Sequence, residues 1–116
     1  MITLSNSGQI LLYREPTDMR KSFDGLCGIV REALGREPTD GSLFLFINRR
    51  QDRIKLLYWD RDGLALWYKR LEAGSFERID RGDQAAVRID ATELSMLLGG
   101  VSLRGVKRRK RYGVVA

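Results

Sequence analysis

Apolar residues gather between positions 43 and 71 in three runs, 43–48, 53–59 and 64–71, parted by two short polar breaks. The runs are rich in Phe, Tyr, Trp, Ile and Leu, residue types that suit a pleated surface. The second break contains Asp62-Gly63, where Gly is expected to supply the positive φ of a tight hairpin. The first break is Arg49-Arg50-Gln51-Asp52, and Arg53 opens the next run. The pattern predicts an antiparallel three-stranded meander with a cationic tip at one end and an acidic tip, Asp60-Arg61-Asp62, at the other. Along the first strand Phe44 and Phe46 share one face, and Leu43, Leu45 and Ile47 share the other. In the second, Ile54, Leu56 and Tyr58 oppose Lys55, Leu57 and Trp59. In the third, Leu64, Leu66 and Tyr68 oppose Ala65, Trp67 and Lys69. Neither face is fully polar. One face should carry a helix, and the other should meet a further element or a partner.

The rest of the chain supplies those elements. Ile10-Leu11-Leu12-Tyr13 reads as a short strand beside the meander. Apolar residues at Phe23, Leu26, Cys27, Val30 and Leu34 follow a helical period and predict a helix over 19–34, capped by Thr17 or Asp18 and stopped by Gly35. Gly25 and Gly28 would let that helix lie close to the sheet. Residues 36–42 read as a loop, 76–79 as a brief strand and 85–89 as a last strand. A second helix should start at Asp90 or Thr92, carry Leu94, Met96, Leu97 and Leu98, and stop at Gly99-Gly100. The expected fold class is α+β: an antiparallel sheet of four to five strands, the first helix packed on one face through Phe23, Leu26, Val30 and Leu34, and a second, C-terminal helix. Residues 1–103 are expected to form a single domain, and the basic stretch 104–116 a flexible tail.

Charge changes this picture at one place. Arg104, Lys107, Arg108, Arg109, Lys110 and Arg111 are six of the chain's 21 Lys and Arg, with no acid among them. The remaining cations balance the 15 Asp and Glu, so the net charge of +6 resides in the tail. Such a block meets polyanions. A chain of 116 residues can bury a core without staples. No run is long and apolar enough to span a membrane, and no leader is read at the start. The single Cys27 excludes an internal disulfide framework and fits a buried thiol in the reducing cytoplasm.

The absence of His removes the usual general base and most transition-metal sites. Carboxylates are the remaining catalytic candidates: Asp60 and Asp62 in a turn, Asp18 and Asp24 on the first helix. Asp is favoured in turns for local hydrogen bonding, which accounts for that pair without a metal. The glycines make no phosphate-binding fingerprint. No cofactor, metal or catalytic residue is expected. The cations are more informative. Arg49, Arg50 and Arg53 cluster at one hairpin tip, with Lys69-Arg70 and Arg20-Lys21 as further positive pairs. A two-stranded ribbon can lie along phosphates, and the tail would add salt-sensitive, sequence-blind affinity. Truncation after Leu103 is expected to leave the fold intact. Trp59 and Trp67 are second-face core or an interface, and self-association would use the face that carries them or an edge strand.

Three stretches resemble a known family. Thr17-Asp18-Met19-Arg20-Lys21-Ser22-Phe23-Asp24-Gly25-Leu26 is similar to its TDMRKGFDGL signature, with Ser22 in place of Gly. The run from Arg49 through Asp60, with Asp62-Gly63 and Trp67-Tyr68-Lys69-Arg70-Leu71-Glu72, resembles its central motif. Leu94-Ser95-Met96-Leu97-Leu98-Gly99-Gly100-Val101 and the basic tail resemble its C-terminal end. The family is the TnpB-type accessory protein, the second open reading frame product, of bacterial IS sixty-six type insertion sequences. The resemblance implies a non-catalytic accessory role in transposition beside a separate DDE transposase, acting through DNA at the element's ends, through the transposase, or both. The alternative is an interaction adaptor or oligomeric scaffold without direct DNA binding. A metal-dependent nuclease built on Asp60 is the third reading.

Overall fold

The computed structural model describes residues 8–103 and 110–113. Its elements run in the order β1 (Ile10–Tyr13), α1 (Phe23–Glu32), β2 (Leu43–Ile47), β3 (Arg53–Asp60), β4 (Gly63–Arg70), β5 (Ala86–Ile89) and α2 (Ala91–Gly99). The strands form one sheet ordered β4-β3-β2-β1-β5. β2, β3 and β4 are the expected meander, with Leu45 opposite Leu56 and Leu56 opposite Trp67. β5 lies antiparallel to β1, Leu12 facing Val87. β1 and β2 run parallel, Ile10 beside Leu43. A parallel pair needs a crossover connection, and α1 supplies it.

Both faces of the sheet are covered by the chain itself. α1 lies on the face that carries Leu11, Phe44, Phe46 and Leu57, and its Leu26, Cys27 and Val30 are buried there. Burial pushes the Cys27 thiol above its ordinary value, as suits a core thiol rather than a nucleophile. The opposite face carries Leu43, Leu45, Ile47, Ile54 and Leu56, packed with Phe76, Ile79 and Leu97. That second layer is α2 together with the segment 71–79. The result is the α+β fold expected, in three layers.

α1 begins at Phe23, four residues later than the periodicity suggests. The backbone of 18–22 is held in other bonds. The Asp18 carboxylate accepts from the Arg20 N–H and guanidinium, and the carbonyls of Met19 and Lys21 accept from Lys55 Nζ. Neither Thr17 nor Asp18 caps the helix; Ser22 stands at the cap without a side-chain bond. Phe23 is therefore 42% exposed, not packed on the sheet. The C-terminal stop is as expected, with Gly35 at φ +63 and the Arg36 N–H returning to the Val30 carbonyl. Gly25 and Gly28 do not mark a close approach to the sheet. A Cβ on Gly25 would meet only the Lys21 side chain, and one on Gly28 would meet nothing.

Residues 76–79 form no strand. Phe76 and Ile79, three apart, are buried in the same cluster, whereas strand alternation would send them to opposite faces. Side chains tie this segment down instead. Gln51 donates from its side-chain amide to the Phe76 carbonyl, and the Phe76 N–H donates to the Gln51 carbonyl. Arg78 donates to the carbonyls of Arg14 and Asn48. At the β3–β4 turn the positive φ falls on Arg61, at +57, and not on Gly63. The register also separates the two tryptophans. Trp59 pairs with Leu64 and Trp67 with Leu56, which puts them on opposite faces of the sheet. No single face of the sheet therefore carries both.

α2 carries the most complete local signal in the chain. Asp90 accepts from the Glu93 N–H at 2.7 Å, and the Glu93 carboxylate accepts from the Asp90 N–H at 3.1 Å, a reciprocal capping box. Arg81 also donates to Glu93, at 2.7 Å. Asp90→Ala should lower stability by about 1 kcal/mol, read as a drop in the urea midpoint at unchanged slope.

Candidate nucleic-acid interface

The β2–β3 turn is built by one asparagine. Asn48 Nδ2 donates to the Asp52 carboxylate at 2.7 Å, and Asn48 Oδ1 accepts from the N–H groups of Asp52 and Arg53. Gln51 takes φ +61 to close the turn, a conformation few non-glycine residues adopt. With Asn48 and Asp52 satisfying each other, Arg49 and Arg50 project exposed at the tip. Arg53 bonds the Tyr68 hydroxyl at 3.2 Å and stands opposite Arg70 across β3 and β4. Arg70 is paired with Glu72 at 2.9 Å.

A second segment reaches the same end of the sheet. The Thr17 N–H bonds the Ile47 carbonyl at 2.9 Å, which brings Pro16–Met19 beside the tip. Between them lies a concavity of about 520 Å³, lined by Pro16, Thr17, Asp18 and Met19 on one side and Asn48, Arg49, Arg50, Asp52 and Arg53 on the other. The hydrogen bond from the Arg20 guanidinium holds the Asp18 carboxyl down at about 2, so it is ionised at neutral pH and already partnered. Lys55 fixes this arrangement from beneath. It is only 5% exposed, bonds the carbonyls of Met19 and Lys21 at 2.7 Å each, and lies 4.7 Å from the Tyr68 ring centroid.

The post-meander segment also joins this end. The Leu71 N–H bonds the Asp52 carbonyl and the Phe76 N–H bonds the Gln51 carbonyl. The buried Glu77 carboxylate accepts from the Ser102 hydroxyl and the Leu103 N–H, which fixes the point where the basic run departs. Beyond that run, Arg111 donates to the carbonyls of Ser75 and Leu97, with its guanidinium 5.2 Å from the Phe76 ring centroid. Lys110 is exposed, and its carbonyl lies where a Cβ on Gly74 would sit. Gly74 also has φ +82. Gly74→Ala should therefore release residues 110–113 from the body. The check is trypsin cleavage at Lys110 and Arg111, expected at least about tenfold faster than in the parent chain, because opening there no longer opposes docking.

Of the sequence-predicted cations, Arg49, Arg50 and Arg53 are gathered at one tip, and Lys110 and Arg111 lie against Gly74 and Ser75, in the segment whose Phe76 bonds Gln51 of that turn. Arg104, Lys107, Arg108 and Arg109 lie outside the described residues. No ion pair engages Arg49, Arg50, Arg53 or Lys69 among the described residues. Asp60 and Asp62 are exposed at the opposite end of the meander, and no three His, Cys, Asp or Glu gather as metal ligands among the described residues. Nor is any helix there long and apolar enough to cross a membrane. Trp67 packs half-buried beside the α2-side core, and Trp59 is 37% exposed on the α1 side. Sequence reasoning missed Lys55 and Glu77 as organisers of this end. For Lys55 the available signal was a lone charge inside the apolar run 54–59; Glu77, with Arg78 beside it, carried no such signal.

Comparison with known proteins gives one family. The profile described as "IS66 Orf2 like protein" matches residues 8–108. The chain is 35% identical over 109 residues to the uncharacterized protein y4jC of Sinorhizobium fredii, covering 94% of this chain and 92% of that protein. It is 38% identical over 88 residues to the uncharacterized protein y4hO of the same organism, covering 76% of each. No solved structure matches.

Proposed function

The chain belongs to the IS66 Orf2 like family of insertion-sequence accessory proteins, and we propose that in this role it binds DNA phosphates with the basic end of its sheet. The observation that carries the reading is the hairpin tip itself. Arg49 and Arg50 are exposed, Asn48 and Asp18 with Arg20 occupy or hold the neighbouring polar groups, and no carboxylate pairs with the tip cations among the described residues. Cations left without internal partners are those able to replace the counterions on a phosphate backbone. The exposed Lys110 lies at the same end and would extend the surface towards the tail cations.

Phosphate contacts set position and register on a duplex without reading its sequence. The protein would accordingly hold the element's ends for a separate transposase and would perform no bond chemistry itself. The test is binding of the purified chain to a labelled duplex, carrying either an element end or an unrelated sequence, at about 50 mM salt. Comparable binding to both is expected. A chain that leaves both duplexes free at that salt contradicts the reading.

A further inference from the structure

Strand β4 is an edge of the sheet and a long one, eight residues from Gly63 to Arg70, bonded to β3 on one side only. Sheet edges are ordinarily blunted by Pro, by bulges, by Lys and other charges or by short length. From Gly63 to Tyr68 β4 has none of these. It contains no Pro, its pairing with β3 is continuous from Gly63 to Arg70, and its charges are confined to Lys69 and Arg70. The other edge, β5, is only four residues long and carries the exposed Arg88 within it. Two of the four large hydrophobics exposed among the described residues lie on or beside β4. Trp59 is 37% and Tyr68 46% exposed, both on the α1 side of the sheet.

We propose that β4 pairs antiparallel with β4 of a second copy, about a two-fold axis through Leu66, joining two five-stranded sheets into one of ten. Residues opposed across a ladder share a face, so a two-fold pairing of this strand centres on a single residue. Centring on Leu66 sets Leu64 against Tyr68 of the second copy, Ala65 against Trp67, and Asp62 against Arg70. Centring on Trp67 would set Asp62 against Glu72 and Leu64 against Arg70. Centring on Ala65 would set Arg61 against Lys69. Like charges directly opposed are destabilising and unlike charges favourable, so the Leu66 register is selected. Because Trp59 neighbours Leu64 within one chain, the same register forms a row of Trp59, Leu64 and Tyr68 of the second copy. Both exposed aromatics are then covered. The acidic tip of each copy lies beside the basic end of the other.

Sedimentation equilibrium of the full chain tests this. The parent protein is expected to dimerise at micromolar concentration. Asp62→Arg changes an exposed turn residue and should raise the dimer Kd about tenfold or more, since the contact occurs twice. Asp62→Arg combined with Arg70→Asp should restore the parent Kd. Cys27 is the chain's single cysteine and is buried, so Leu66→Cys should give an intermolecular disulfide on mild oxidation and Thr92→Cys should not. A monomer up to about 100 µM, a dimer indifferent to Asp62→Arg, or a double variant that stays weakened would overturn the proposal.

Discussion

Replacing Lys55 with Met should lower the unfolding free energy by about 3 kcal/mol. Few lysines in a strand have such an effect, because most keep their ammonium in water. Lys55 is 5% exposed, and its ammonium donates to the Met19 and Lys21 carbonyls at 2.7 Å each. Its apolar stem lies in the α1-side layer, and Met reproduces that stem. The substitution therefore removes the charge and the donors with little change in packing volume. Two carbonyls then lose a charged donor, at about 1.5–3 kcal/mol each. Part of that loss is returned, since the ammonium no longer has to be desolvated. A net effect near 3 kcal/mol follows, larger than that expected for the Asp90 cap. The urea midpoint should fall at unchanged slope, and amide exchange should accelerate first at residues 17–22. A loss under about 1 kcal/mol would show that these bonds do not hold the segment.

The parts of the fold legible in sequence are those where one local rule decides. The meander follows from period-two apolar runs, and its three strands match the runs 43–48, 53–59 and 64–71 to within one residue at each end. α2 follows from Asp90 and Glu93 at capping-box spacing and from Gly100, at φ +83, beyond its end. The departures arise where side chains from distant segments take over backbone bonds. Residues 18–22 satisfy a helical period, yet their carbonyls serve a lysine more than thirty positions away. Phe76 and Ile79 suggest a strand by composition, but Gln51 and Arg78 supply their segment's bonding and release it from sheet geometry. Hairpin register was the other hidden variable. Knowing which residues alternate along each strand does not say which pair across, and only the pairing separates Trp59 from Trp67. At the candidate site, the clustering of Arg49, Arg50 and Arg53 was legible because they are neighbours in sequence. The approach of Pro16–Met19 and of Lys110 was not, because it depends on Thr17 meeting Ile47 and on the space at Gly74.

Loss of the tip arginines should weaken duplex binding by roughly thirty- to a hundredfold near 100 mM salt, since each phosphate contact releases about 0.9 counterion. Arg49→Ala with Arg50→Ala leaves the fold untouched, because both side chains are exposed and neither forms an ion pair among the described residues. Replacing Lys107, Arg108 and Arg109 with Ser should cost more, because three cations are removed, and it spares the Arg111 contacts with Ser75 and Leu97. Truncation after Leu103 is the poorer variant, since it also removes Arg111 from the Phe76 ring. If tip and tail serve one duplex, their effects should add, as contacts on separate phosphates do. The deciding measurement is a salt titration of duplex affinity by fluorescence anisotropy for the parent chain and both variants. The account predicts a log–log slope of about −4 to −5 for the parent, shallower by about 2 in the tip variant and by about 3 in the tail variant. Two variants that keep the parent's slope and affinity would contradict it.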